Sequence, residues 1–102
     1  MINIPESHID QYVEIFGKDE LKQMDILQEE CAELIKALSK YKRSLGHYTT
    51  VDPIDNIIEE ITHVAISSEI VARLLSITPD DIQKEINKKA TKFNLKKGEY
   101  DD

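Results

Sequence analysis

The stretch "PIDNIIEEITHVAISSEIVARLLSI", residues 53–77, decides the fold. Isoleucine, valine, leucine and alanine recur in it every three or four residues, which predicts one long helix. At about 100° per residue, these apolar positions fall into two stripes. Ile54, Ile58, Ile61, Ala65, Ala72 and Leu75 form the first, with Ile57, Val64 and Val71 on its flank. His63, Ile66, Ile70, Leu74 and Ile77 run along nearly the opposite side. A helix that is apolar on both sides must be covered on both sides, so an all-α bundle is expected around it. The same run carries Glu60 and, one turn later, His63, and each is costly to bury unless something answers it.

Punctuation on either side sets the neighbouring elements. Asp52-Pro53 predicts an N-cap with proline first in the helix. Thr78-Pro79-Asp80-Asp81 repeats the signal, with Asp81 at the capping-box distance, so the helix ends near Ile77 and a fourth begins. That fourth helix is expected to pack Ile82, Ile86, Ala90 and Phe93 inward and to carry Lys84, Lys88, Lys89, Lys92, Lys96 and Lys97 elsewhere. Upstream, residues 19–43 predict a second helix whose stripe is Met24, Leu27, Cys31, Leu34, Leu38, Tyr41 and Leu45, stopped by Gly46. Residues 6–16 predict a short first helix with Ile9, Val13 and Phe16 at helical spacing before Gly17. "GHYTTVD", residues 46–52, is a polar loop that lets the second and third helices run antiparallel. Residues 1–102 contain no repeat, and a single domain is expected.

Composition narrows the partners. Twenty acidic against 13 basic residues give a net charge of -7, which repels phosphate backbones and argues against nucleic acid or an anionic membrane. A phosphorylated ligand would need cations between it and the protein. Cys31 is the only cysteine, so no internal disulfide and no CxxC zinc site is encoded, and a cytoplasmic location is expected. "MINIPESHIDQ" lacks the basic and apolar regions of a signal peptide, and no run approaches the ~18 apolar residues of a spanning helix. Three further helices cannot cover both stripes of residues 53–77, so a homo-oligomer is expected, a dimer or a dimer of dimers.

The chemistry lies in paired carboxylates. "EECAE", residues 29–33, puts Glu30 and Glu33 one turn apart at the edge of the second helix's stripe, and Glu60 and His63 repeat the spacing on the third. Residues at i and i+3 project together, so two facing helices can converge four oxygen or nitrogen ligands on one metal ion. With 32% charged residues, ExxE spacings also arise by chance as solvated charge, and Glu29 reads that way.

"MDILQEECAELIKALSKYKR" (residues 24–43) followed by "NIIEEITHVAI" (residues 56–66) resembles the EExxE and ExxD halves of the MazG-like, all-α nucleoside triphosphate pyrophosphohydrolases, small phage-encoded members most of all. The resemblance runs from about Gln23 to the lysine-rich end. It implies a four-helix unit completed by dimerisation, and cleavage of a (deoxy)nucleoside triphosphate between the α and β phosphates, with Mg2+, or Mn2+, as cofactor. Glu30, Glu33 and Glu60 match the ligand and catalytic positions, and Glu29 the leading glutamate. "KKATKFNLKK" loosely resembles the basic end of the family's last helix, implying that Lys89, Lys92 and Asn94 grip phosphates.

His63 is the departure, standing where the family has aspartate. A neutral imidazole in place of an anionic oxygen suits manganese or another transition metal better than magnesium. His63 therefore reads as a ligand, as a group facing substrate, or as an interface histidine heading the second apolar stripe. The corresponding functions are an active pyrophosphohydrolase and a weak or inactive bundle of the same ancestry that binds nucleotide or a protein partner. A phosphoribosyl-ATP pyrophosphatase fits the motif order less well. Tyr12, Tyr41, His47 and Tyr48 are available to meet a base, although Tyr41 fits the apolar stripe, and His8 and His47 read as surface residues. Cys31 reads as a small buried hydrophobe.

Overall fold

The structure, a computed structural model, describes residues 2–45 and 53–96. Gly46, His47, Tyr48, Asp52 and Lys97, and with them the expected loop and its N-cap, lie outside the described residues. Within them the protein is all-helical: α1 Glu6–Phe16, α2 Glu20–Ser44, α3 Pro53–Leu74 and α4 Pro79–Lys92.

Each boundary has a local cause. Gly17 stops α1 with φ 92°, ψ 176°, a region that is essentially glycine-only, while its N–H donates to the Val13 carbonyl. Asp19 caps α2 by accepting from the Lys22 N–H at 3.2 Å. The capping box at α4 forms as expected: Asp81 N–H donates to Thr78 Oγ1 at 3.1 Å, and Thr78 N–H to Asp81 Oδ2 at 2.9 Å. These bonds, the backbone one first, lower the pKa of Asp81.

The end of α3 falls at Leu74, before the expected Ile77. Ser76 turns left-handed at φ 58° and the Ile77 N–H reaches back to the Ala72 carbonyl at 2.9 Å, closing the helix without a glycine. Asn94 ends α4 in the same way, at φ 54°, with the Leu95 N–H on the Ala90 carbonyl.

α2 and α3 pack along their lengths as an antiparallel pair, Gln23 level with Ile70 and Glu30 level with His63. The seam contains Gln23, Ala37, Ser67 and Ile70, all buried, with Ile66 and Leu74 half-buried beside them. α3 thus turns its second stripe to α2. On α2 the contact face is rotated from the expected one: Cys31, Leu38 and Leu45 are exposed, correcting the reading of Cys31 as buried. The rotation follows from two polar residues, Gln23 and Glu30, entering the seam in place of apolar ones.

α1 lies on α3 through Ile9, 2% exposed, and through the Arg73 guanidinium, which donates to Asp10 and to Glu6. Hydrogen bonding to Asp10 and the charges of Asp10, Glu6 and Glu69 raise the pKa of Arg73 against a smaller loss from burial. Gln23 Nε2 joins α2 to α1 by donating to the Phe16 carbonyl at 3.2 Å.

α4 bends 116° away from α3 and packs against none of the other helices. Ile82, Ile86 and Phe93, expected to pack inward, are exposed, and Ala90 is half-buried. The first stripe of α3 is open too, with Ile58 57% and Ile61 41% exposed. Ile9, Ala37 and Ile70 are the fully buried apolar residues among those described. The radius of gyration, 16.9 Å, exceeds the ~13 Å of a compact chain of this length. No single described helix is long and apolar enough to cross a membrane.

Candidate metal centre

Midway along the α2–α3 seam, the packing brings three of the four predicted ligands together. His63 Nδ1 lies 3.1 Å from Glu30 Oε2 and 3.6 Å from Glu60 Oε2. One donor atom from each of Glu30, Glu60 and His63 fits within 4.8 Å of the others. Helical spacing supplies Glu60 and His63 from one face of α3, and the antiparallel register supplies Glu30 from α2. Glu59 Oε1, farther out on α3, is 3.9 Å from His63 Nε2.

Burial within this group is uneven, and that is informative. The Glu60 side chain is 13% exposed, and its Oε2 is buried without a hydrogen-bond partner. An unmatched buried carboxylate oxygen is expensive, and buried charges are normally paired or metal-bound. Two carboxylates and an imidazole form a mixed oxygen and nitrogen donor set, which suits a divalent ion such as manganese. The residues present therefore fit a cation.

The fourth predicted ligand, Glu33, is not in the group. Its side chain is 52% exposed and pairs with Lys36 at 3.4 Å on the outer side of α2. Lys89, Lys92 and Asn94 are not brought to the group either, because α4 stands apart from α2. Lys89 pairs with Glu85 at 3.6 Å, Lys92 lies over the Phe93 ring at 5.5 Å, and Asn94 forms the left-handed end of α4.

Beside the group is a cavity of about 480 Å³ that shares Glu30 and His63 with it. Tyr12 and Phe16 of α1 form its far wall, with Gln23 and Ser67 among its lining groups. Sequence reasoning singled out Tyr12 but missed Phe16 and Gln23, since their place depends on how α1 folds back over the seam. Protein-family models, curated proteins and solved structures were each compared with the chain, and none matches it.

Proposed function

We propose that the protein is a metal-dependent nucleotide pyrophosphohydrolase that cleaves a (deoxy)nucleoside triphosphate to a monophosphate and pyrophosphate. One observation carries the reading: Glu30, Glu60 and His63 converge at the seam with a carboxylate oxygen of Glu60 buried and unanswered. The motif order and spacing that resemble the MazG-like enzymes support it.

Glu30, Glu60 and His63 would hold the divalent ion, Mn2+ in preference to Mg2+ because of the imidazole. Bound there, the ion supplies activation of a water and neutralisation of the triphosphate. Glu30 and Glu60 would hold it from facing helices. Glu33 stands one turn beyond Glu30, and its exposed pair with Lys36, an interaction worth ~0.2–1 kcal/mol, would be a small cost to give up if it turned toward the set.

A second copy completes the molecule in this account. The open first stripe of α3, the exposed Leu38 of α2 and the uncovered apolar face of α4 are surfaces that a partner would bury. α4 of one protomer, laid on its partner, would cover these faces and carry Lys89 and Lys92 toward the partner's acidic site. The lone exposed Cys31 accords with a reducing cytoplasm, where nucleotides are met.

The second reading is a bundle that binds nucleotide without cleaving it, and His63 favours it, since a protonated ring between Glu30 and Glu60 would itself answer both carboxylates. Manganese titration followed by electron paramagnetic resonance tests the site, with turnover of deoxynucleoside triphosphates measured on the same samples. Binding and turnover that both vanish in Glu30→Gln and Glu60→Gln support the enzyme. Binding without turnover would leave only the bundle.

A further inference from the structure

The cavity beside the three acidic and imidazole side chains has features that metal binding does not require. Its far wall is the aromatic pair of α1, where the Tyr12 and Phe16 rings stack with centroids 5.9 Å apart and planes at 19°. Phe16 is 54% exposed, so its ring offers a large open face instead of serving the core. Ile66 and Ile70 of α3 add apolar surface. At about 480 Å³ the space falls within the range of small-molecule pockets, ~300–1,000 Å³.

Gln23 is the second feature. It is 3% exposed at a helix seam, where an apolar residue would pack without a hydrogen-bond requirement. Its Nε2 donates to the Phe16 carbonyl at 3.2 Å, and because a carbonyl only accepts, this bond fixes which end of the amide is nitrogen. Gln23 Oε1 accepts no hydrogen bond from the described residues, and the side chain lines the cavity. The described residues thus present an oriented acceptor, to which none of them donates, next to a stacking surface.

We infer that this cavity seats the planar nitrogen heterocycle of a nucleotide, stacked on Phe16 and Tyr12 and recognised through an N–H on its edge by Gln23 Oε1. The inference rests on the nucleotide reading above and names the part of the substrate that the α1 side of the site takes. Polarity sets the direction of the ligand. Glu30 and His63 line the same cavity, so the phosphate end, carrying its cation, lies against them, and the ring lies toward α1. Gln23 is then a specificity-determining residue, and α1 is part of the site as well as its cover.

Equilibrium binding by calorimetry tests this without depending on turnover. The probes are the α,β-methylene analogues of the common deoxynucleoside triphosphates, with inorganic triphosphate as the baseless control, all in Mn2+. Stacking predicts that at least one base-bearing analogue binds about tenfold to a hundredfold more tightly than inorganic triphosphate. Gln23→Leu should weaken that analogue by about tenfold and leave inorganic triphosphate unchanged. Because Gln23→Leu also unties α1, Phe16→Leu serves as a second variant: it keeps an apolar side chain and the Phe16 carbonyl but removes the ring, and should reduce the same preference. Equal affinity of every analogue and inorganic triphosphate, or equal weakening of both by the variants, overturns the inference. Hydrolysis of the natural nucleotides, assayed alongside, separates the two claims. Base-dependent binding without turnover refutes the hydrolase and leaves this inference standing, whereas turnover indifferent to the base does the reverse.

Discussion

Replacing Glu60 by leucine is expected to stabilise the ion-free protein. Glu60 Oε2 is buried with no hydrogen-bond partner, and His63 Nδ1 is 3.6 Å away, beyond a good hydrogen bond. Leaving a buried acceptor unmatched costs about 1–3 kcal/mol; with the side chain still 13% exposed, the lower half of that range applies. Leucine also removes the repulsion between Glu60 and Glu30, which both approach His63. For a chain of this size each kcal/mol moves the Tm by ~4–8 °C, so Glu60→Leu should melt at least about 4 °C above the wild type in chelator. Saturating Mn2+ should reverse the order, because an ion at 100 times its Kd adds ~2.7 kcal/mol to a protein that binds it and far less to one short of a ligand. Circular dichroism melts at fixed protein concentration, with EDTA and with Mn2+, read both effects. A variant less stable than the wild type in EDTA would mean that Glu60 is already satisfied by His63, and the argument for a cation would lose its main support.

His63→Asp gives an all-oxygen set and should move the preferred ion from manganese toward magnesium, read as the ratio of turnover, or of ion affinity, in the two metals. Arg73→Met removes exposed pairs with Glu6 and Asp10; about 1 kcal/mol or less of global stability should go, while amide exchange in α1 accelerates. Thr78→Ala should cost α4 ~0.5–2 kcal/mol of local stability, seen as lost helicity in 80–92. Acid should act on the same cap. The folded pKa of Asp81 is depressed, so its contribution is complete above the ordinary 3.8 and is lost as pH falls below that through the lowered value; amide exchange at 79–82 should report it.

The sequence made the helices easy to read, because caps and period are local properties. The bounds of α1 and the Thr78–Asp81 box were visible directly, whereas the end of α3 was not, since Ser76 adopts a left-handed turn that sequence reading normally assigns to glycine. The rotation of α2 was harder still. Averaging its apolar residues points between two faces, one on α3 and one left open, and Gln23 and Glu30 in the seam pull the contact away from Cys31 and Leu38. Spacing sufficed for Glu30, Glu60 and His63, because Glu60 and His63 stand one turn apart on α3 and the antiparallel register sets Glu30 of α2 opposite them. It failed for Glu33, whose side chain has a closer partner in Lys36, and for Lys89 and Lys92, whose helix stands apart from α2 and α3. Phe16 and Gln23 come to line the cavity through a tertiary contact, the hydrogen bond that the Gln23 side-chain amide of α2 donates to the Phe16 carbonyl at the end of α1.

The most direct test of the central claim is product analysis. The purified protein is incubated with a panel of ribo- and deoxynucleoside triphosphates in Mn2+ and in Mg2+, with pyrophosphate resolved from phosphate and Glu60→Gln run in parallel. The account predicts monophosphate and pyrophosphate in equal amounts, faster in Mn2+, and none from the variant. Release of single phosphates, or no turnover of any nucleotide in either metal by a folded oligomer that still binds the ion, would contradict it.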